Sequence, residues 1–208
     1  IGEPAVLFKE KINFKLPGGA GFEPHQDAQA DWGKYSGYHL TAMVSVDHCT
    51  LENGCLEMVA GYHDRGLIGD LWKPLTAEQM RGMEFISVPT APGDAIFFDS
   101  YAPHRSAPNS TTQPRRVLYI TYNRASEGDW REQYYADKRR SFPPDCEREA
   151  GKVERDAQRR REMDVERIDA DMRAVEQRVF EGLQICIFHG NCLAACERAV
   201  LGDLGPIR

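Results

Sequence analysis

No apolar run in this chain approaches the length needed to cross a bilayer, and no signal peptide is visible. The expectation is a cytoplasmic protein with no membrane partner. Positive charge is also in short supply. The chain has 26 Lys and Arg against 32 Asp and Glu, a formal net charge of -6. That balance argues against a nucleic-acid partner while leaving room for a local basic pocket. Cysteine is sparse and scattered, at positions 49, 55, 146, 186, 192 and 196, with no CxxC pair. A chain of this size does not need covalent stapling, so reduced thiols are expected, with Cys55 a small buried residue. Internal repeats and low-complexity segments are absent. An initial Met is lacking too: the chain opens at Ile1 and runs almost at once into a strand. The natural N-terminus is therefore expected further back, the chain being a fragment or a processed form.

What is present is ordinary globular material, 41% hydrophobic and 28% charged, enough for one domain with an appendage. Residues 5–15 alternate, with Val6, Phe8, Ile12 and Phe14 expected on one face and Lys9, Lys11 and Asn13 on the other. Either the polar face meets solvent or it lines a cavity in a closed double sheet. Period 2 alone allows both. Residues 38–47 repeat the pattern, with His39, Thr41, Met43, Ser45 and Asp47 opposite Tyr38, Leu40, Ala42, Val44 and Val46. Glu52-Asn53-Gly54 is a turn signal leading into a strand at Cys55 to Ala60. Further short strands are predicted over 84–88, 94–99 and 115–123, separated by Gly, Pro and Asn turns. Such a series predicts a mostly β double sheet of jelly-roll type, the cupin-like double-stranded β-helix. Thr76 is expected to cap a short helix through Met83, and Glu127 to Arg140 to form another, ended by Pro143-Pro144.

The division expected is a β-domain over 1–148 and an α-helical tail over 149–208. Residues 147–183 contain no Pro and a dense mix of Arg, Glu and Asp. Val165, Ile168, Met172, Val175 and Val179 make an apolar helix seam, suited to packing on its own domain or to homo-oligomer formation. Cys186, His189, Cys192 and Cys196 lack the tight repeated spacing of structural zinc sites and suit small core residues or a metal cluster.

The chemistry is carried by Pro24-His25-Gln26-Asp27 and the distant Pro103-His104. His25 and Asp27, two apart on an extended segment, point to one side. With His104 they make a two-His-one-carboxylate triad, which holds Fe(II) on one face and leaves other positions open. Arg115 and Arg116 begin an apolar strand eleven and twelve residues after His104. One of them should face the cavity and supply a bidentate fork for the far carboxylate of a bound dicarboxylate. Ser106 is small, polar and close enough to assist. His63, in Gly61-Tyr62-His63, is expected in a loop, packing or touching substrate. Iron plus a downstream cation for a dicarboxylate outlines an oxygenase using Fe(II), 2-oxoglutarate and O2.

These motifs resemble the phytanoyl-CoA dioxygenase-like Fe(II)/2-oxoglutarate oxygenases. The likeness rests on Pro24-His25-Gln26-Asp27, Glu52-Asn53-Gly54-Cys55-Leu56, Gly61-Tyr62-His63, Gly93-Asp94 and His104-Arg105-Ser106 followed by Arg115. It covers about residues 5 to 146. It implies iron on His25, Asp27 and His104, and the distal carboxylate of 2-oxoglutarate on Arg115 with Ser106. Lys11, Asn13 and Met43 are implied as looser co-substrate contacts. Within the family, residues 8–13, 24–28 and 109–123 are most similar to bacterial aminophosphonate hydroxylases, which implies hydroxylation of a small aminophosphonate at the carbon beside phosphorus. Lys9, Lys34, Arg105 and Asn13 are available for a phosphonate, and Trp32, Tyr35 or Tyr38 for an amine. The same family also includes hydroxylases of other small metabolites and acyl-CoAs, and a non-catalytic β-sandwich module is the reading from another class. Asp27 disfavours a halogenase, which gives up the carboxylate ligand. The helical region that the family normally carries before the first strand is not found in this chain, and residues 150–208 resemble nothing in these hydroxylases.

Overall fold

The computed structural model describes residues 1–143 and 185–187. Their strands are β1 (Ala5–Lys15), β2 (Phe22–His25), β3 (His39–Ser45), β4 (Leu56–Met58), β5 (Ile86–Val88), β6 (Ala95–Asp99), β7 (His104–Ser106), β8 (Arg115–Arg124) and β9 (Ile185–Ile187). One helix, α1, spans Arg131–Ser141. The strands form two sheets, ordered β1-β8-β3-β6-β9 and β2-β7-β4-β5. Every pairing is antiparallel except β6 with β9. This is the jelly-roll core that the short strands and turns predict.

The sheets are held together by apolar side chains from their facing surfaces. Met43, Ile96, Phe98 and Val117 of the larger sheet bury against Leu56, Met58 and Val88 of the smaller one. Each such side chain contributes about 1.5–3 kcal/mol on leaving water. A second buried cluster, Ile12, Val44, Ala95 and Leu118, lies on the other face of the larger sheet. Both faces of β3 are thus buried, as its alternation of Thr41, Met43 and Ser45 with Ala42 and Val44 foretells.

Strict alternation fails in β1. Val6 pairs with Asn123 and Lys9 with Thr121, with a register shift between Leu7 and Lys9 that leaves Phe8 as an extra residue. Directly opposed residues share a face. Val6 therefore lies on the side of Lys9, Lys11 and Asn13, and only Ile12 and Phe14 of the expected apolar set remain together. Phe8 is fully buried against Trp32, Tyr35 and His39, at ring-centroid distances of 5.5, 5.4 and 4.5 Å. Beyond the bulge the polar residues of β1 point inward, so the cavity alternative holds.

Other departures are local. Thr76 and Gln79 exchange the reciprocal capping bonds expected of a helix start, at 2.8 and 3.2 Å. The chain then forms only turns, because Gly82 reverses it with φ +81°. Helix α1 starts later than predicted, at Arg131, after a 3-10 turn over Ala125–Glu127. It docks on β1 through Tyr135, whose hydroxyl donates to the Glu10 carbonyl at 2.8 Å. In the tail expected to be helical, Ile185–Ile187 is instead a strand, parallel to β6. Ile185 and Ile187 are β-branched, and β6 offers the open edge of the larger sheet. The Val165–Val179 seam and His189, Cys192 and Cys196 lie outside the described residues. No described helix is long and apolar enough to cross a membrane.

The turn before β4 depends on Gly54, which has φ +73°. A Cβ there would meet the Ala107 carbonyl oxygen at 2.0 Å and Lys15 Nζ at 2.7 Å. Gly54→Ala is expected to destabilise the protein by more than ~1 kcal/mol, since alanine is strained at positive φ even where space is free. Urea denaturation checks this, and an unchanged midpoint would show that the turn relaxes without cost.

Candidate metal centre and adjoining pocket

The site is assembled by one pairing. β2 runs antiparallel to β7 with His25 directly opposite His104. β7 continues to β4, where Met58 faces His104. Asp27 opens a 3-10 turn, Asp27–Ala30, just past the end of β2. Gln26, between the two candidate ligands, is fully buried and anchored. Its Nε2 donates to the carbonyls of Gly66 at 2.9 Å and Tyr101 at 2.7 Å, and its Oε1 accepts from the Ile68 N–H at 2.7 Å. With Gln26 held among these backbone groups, His25 and Asp27 are fixed on the cavity side.

The ligand atoms of His25, Asp27 and His104 all lie within 4.8 Å of one another. Both rings have a set tautomer. His25 Nδ1 lies 2.7 Å from the Glu23 carbonyl oxygen, and His104 Nδ1 lies 2.9 Å from that of Ala102. A carbonyl only accepts, so each Nδ1 carries the hydrogen and Nε2 is the nitrogen left to face a metal. Burial, reinforced by His104, lowers the pKa of His25 to about 4. Burial opposes ionisation of Asp27, but His104, Lys9, His25 and Lys11 outweigh it and hold the carboxyl below its usual range. At neutral pH His25 is thus a neutral imidazole beside the Asp27 carboxylate, with His104 Nε2 turned to the same point. Such a donor set fits a divalent first-row metal, with the backbone carbonyls as outer supports.

The cluster opens on a cavity lined by Lys9, Lys11 and Asn13 of β1, Tyr119 and Thr121 of β8, and Arg105 and Ser106 of β7. Phe22 and Leu56 complete its apolar wall. Among the described residues its charged lining is cationic apart from Asp27. The Tyr119 hydroxyl stays protonated, its pKa pushed up to about 12 by burial.

The other predicted residues fall as follows. Arg115 is buried on the inner face of β8; its Nη1 donates to the Gly54 carbonyl at 2.8 Å, and its Nε is buried without a partner. Arg116 faces away and forks onto Asp47 with both contacts at 2.9 Å. Met43 is fully buried in the intersheet core and is not part of the cavity lining. Lys34 lies apart from the cavity, near Asp31 and Asp137 at 3.5 and 4.0 Å. Trp32, Tyr35 and Tyr38 are each covered by a cation of the chain itself. Lys9 sits 4.2 Å over Trp32, Lys34 4.9 Å over Tyr35 and Arg124 5.0 Å over Tyr38. His63 is in a loop outside the metal cluster.

Sequence reasoning missed Lys15. Its Nζ donates to Ser106 Oγ at 2.7 Å, the Ala107 carbonyl at 2.6 Å and the Gly54 carbonyl at 3.2 Å. The period-2 series Lys9, Lys11, Asn13 extends to Lys15 and would have placed it inward.

Burial also lowers the pKa of His39 to about 4, as it does for His25, against an ordinary value of 6.5. Between these values the unfolded chain binds more protons than the folded one. Stability of the metal-free protein is therefore expected to fall as pH drops from 6.5 to about 4, above the range of the lowered Asp27 and Asp47. Urea titrations at pH 7, 6, 5 and 4 check this, and a flat profile would contradict the buried neutral rings.

Comparison with known proteins places this geometry in context. The family model described as phytanoyl-CoA dioxygenase (PhyH) matches residues 2–117. The methylphosphonate hydroxylase of Gimesia maris is 53% identical over 143 residues, covering 68% of this chain and 54% of that protein. The 2-aminoethylphosphonate dioxygenase of uncultured bacterium HF130_AEPn_1 is 48% identical over 157 residues, covering 73% and 58%. The chain thus spans a little over half the length of these curated relatives. Among solved structures, the epimerase SnoN in complex with Fe3+, alpha ketoglutarate and nogalamycin RO aligns with TM-score 0.51 and 26% identity, over 60% of this chain and 52% of that one. The His-Asp-His cluster at the β2–β7 pairing, the jelly-roll around it and the family match together show that the chain belongs to the phytanoyl-CoA dioxygenase (PhyH) family.

Proposed function

We propose that the chain is the core of an Fe(II)/2-oxoglutarate-dependent oxygenase that hydroxylates a small phosphonate. The observation that carries this is the convergence of His25, Asp27 and His104 beside a cation-lined cavity with Arg115 buried on the same inner sheet face. Fe(II) with 2-oxoglutarate and O2, when bound, supplies the oxidation, releasing succinate and CO2 and hydroxylating the carbon beside phosphorus. The protein's part is positioning. His25, Asp27 and His104 hold the metal. Arg115, with Ser106, receives the far carboxylate of the keto acid, and Lys11 and Asn13 line the wall between. Lys9 and Arg105 bring positive charge for a phosphonate dianion, although Arg105 is already bonded to Glu57 at 2.8 Å. All these residues fall in the domain expected over 1–148.

One observation favours a substrate without an ammonium group. The three rings expected to receive an amine, Trp32, Tyr35 and Tyr38, are occupied by Lys9, Lys34 and Arg124, and among the described residues Asp27 is the only acid in the cavity lining. A simple alkylphosphonate therefore suits the pocket better than the aminophosphonate suggested by the sequence.

The testing experiment is anaerobic addition of Fe(II) and then 2-oxoglutarate, followed by visible absorption. A weak charge-transfer band is expected, to be perturbed by methylphosphonate more than by 2-aminoethylphosphonate. The band should be lost in His25→Ala while the circular dichroism spectrum is unchanged. A folded wild-type protein with no band would overturn the assignment. Arg115→Ala is expected to raise the 2-oxoglutarate concentration needed for succinate formation roughly tenfold or more, since a charge-assisted fork is lost. A comparable effect in Arg116→Ala alone would show that the wrong face had been chosen.

A further inference from the structure

Two cations are buried side by side near the cavity, Lys15 at 3% exposure and Arg115 at 1%. Among the described residues neither has a carboxylate partner within salt-bridge distance. The charged and titratable groups that face Lys15 are Arg115 of β8, Cys49 and Cys55 flanking the turn before β4, and Glu57 of β4. Burial holds the Cys55 thiol protonated, and Glu57 is engaged by Arg105. Asp47, near Arg115, is likewise engaged by Arg116, so among the described residues the local field lacks a free negative charge. Uncompensated buried cations are costly, and a ligand of opposite sign removes that cost.

Ser106 supplies the connection to the cavity, because it lines the wall and is bonded to Lys15 at 2.7 Å. An ammonium is only a donor, so Ser106 Oγ must accept from Lys15. The Ser106 hydroxyl hydrogen is then free to point elsewhere, and the open side is the cavity. A neutral Lys15 amine could accept that hydrogen instead and turn the hydroxyl away.

We propose that Lys15 is a second cation for the far carboxylate of the dicarboxylate co-substrate, acting as a positioning residue that sets Ser106 as a donor into the pocket and shares the ligand's charge with Arg115. This deepens the proposed function and rests on it. The protonation of Lys15 is then linked to binding. Burial, and then the Arg115 charge, lower its pKa from 10.5 to about 7 in the free protein. A bound dianion restores the charged form, so binding takes up a proton above pH 7 and none well below it.

Calorimetry on the Fe(II)-loaded full chain without O2, titrated with 2-oxoglutarate in buffers of different ionisation enthalpy, measures this directly. Wild-type protein should take up close to one proton per ligand at pH 8 and near zero at pH 6. Lys15→Met should bind roughly tenfold or more weakly at pH 6.5, as expected for a lost bond to a charged group, and show no uptake at either pH. Lys15→Arg keeps a permanent charge; it should restore affinity without restoring proton uptake. Equal uptake at both pH values in wild type, or unchanged affinity and uptake in Lys15→Met, would overturn the proposal even though the ligand binds. If Lys15→Met does not fold, the wild-type proton count alone decides. Failure of wild type to bind 2-oxoglutarate or to give the charge-transfer band would overturn the underlying function, and the proposal with it.

Discussion

The pairing of β2 with β7 is the constraint on which the site depends. Opposite residues of an antiparallel pair are held a few ångströms apart by the backbone itself. Setting His25 against His104 therefore brings together imidazoles that are far apart in the sequence, with no contribution from flexible loops. Asp27 then has only to follow by two residues, and the buried amide of Gln26 keeps the segment from rotating. A one-residue slip would turn His25 away from the cavity. The sheet core, by burying Met58 and Phe98 around β7, makes such a slip costly.

Electrostatics divides the cavity into functions. Near the metal cluster, burial keeps the His25 ring neutral while surrounding cations keep Asp27 ionised. Further along β1 and β8, Lys and Arg side chains accumulate with few opposing acids. This asymmetry suits anionic small molecules at both ends of the pocket. It also explains how an acidic chain can keep a basic interior: its net charge of -6 describes the whole molecule, whereas the pocket is formed by the inward residues of a few strands.

Much of this was legible in the sequence. The common side of His25 and Asp27 and the opposed faces of Arg115 and Arg116 follow from alternation along strands, which holds through β3, β6 and β8. His104 and the choice of Arg115 rest instead on the family resemblance. Alternation failed at Phe8, because a bulge adds one residue without leaving a compositional mark. The helix expected at Thr76 had a true capping box but no run long enough to propagate it. The helical expectation for 149–208 likewise gave no weight to Ile185 and Ile187, which lie on the open edge of β6. Lys15 was overlooked because lysine is usually a surface residue; its burial depends on carbonyls from Gly54 and Ala107, 39 and 92 residues away. Such acceptors belong to the fold and cannot be read from local pattern.

The rings of His25 and His104 are oriented by main-chain oxygens of Glu23 and Ala102, not by side chains. Every amino acid supplies the same carbonyl. Substitution at positions 23 and 102 can therefore proceed without altering which nitrogen faces the metal, provided the strand path is kept. The orientation of the two rings is thus insulated from drift in the side chains at those two positions.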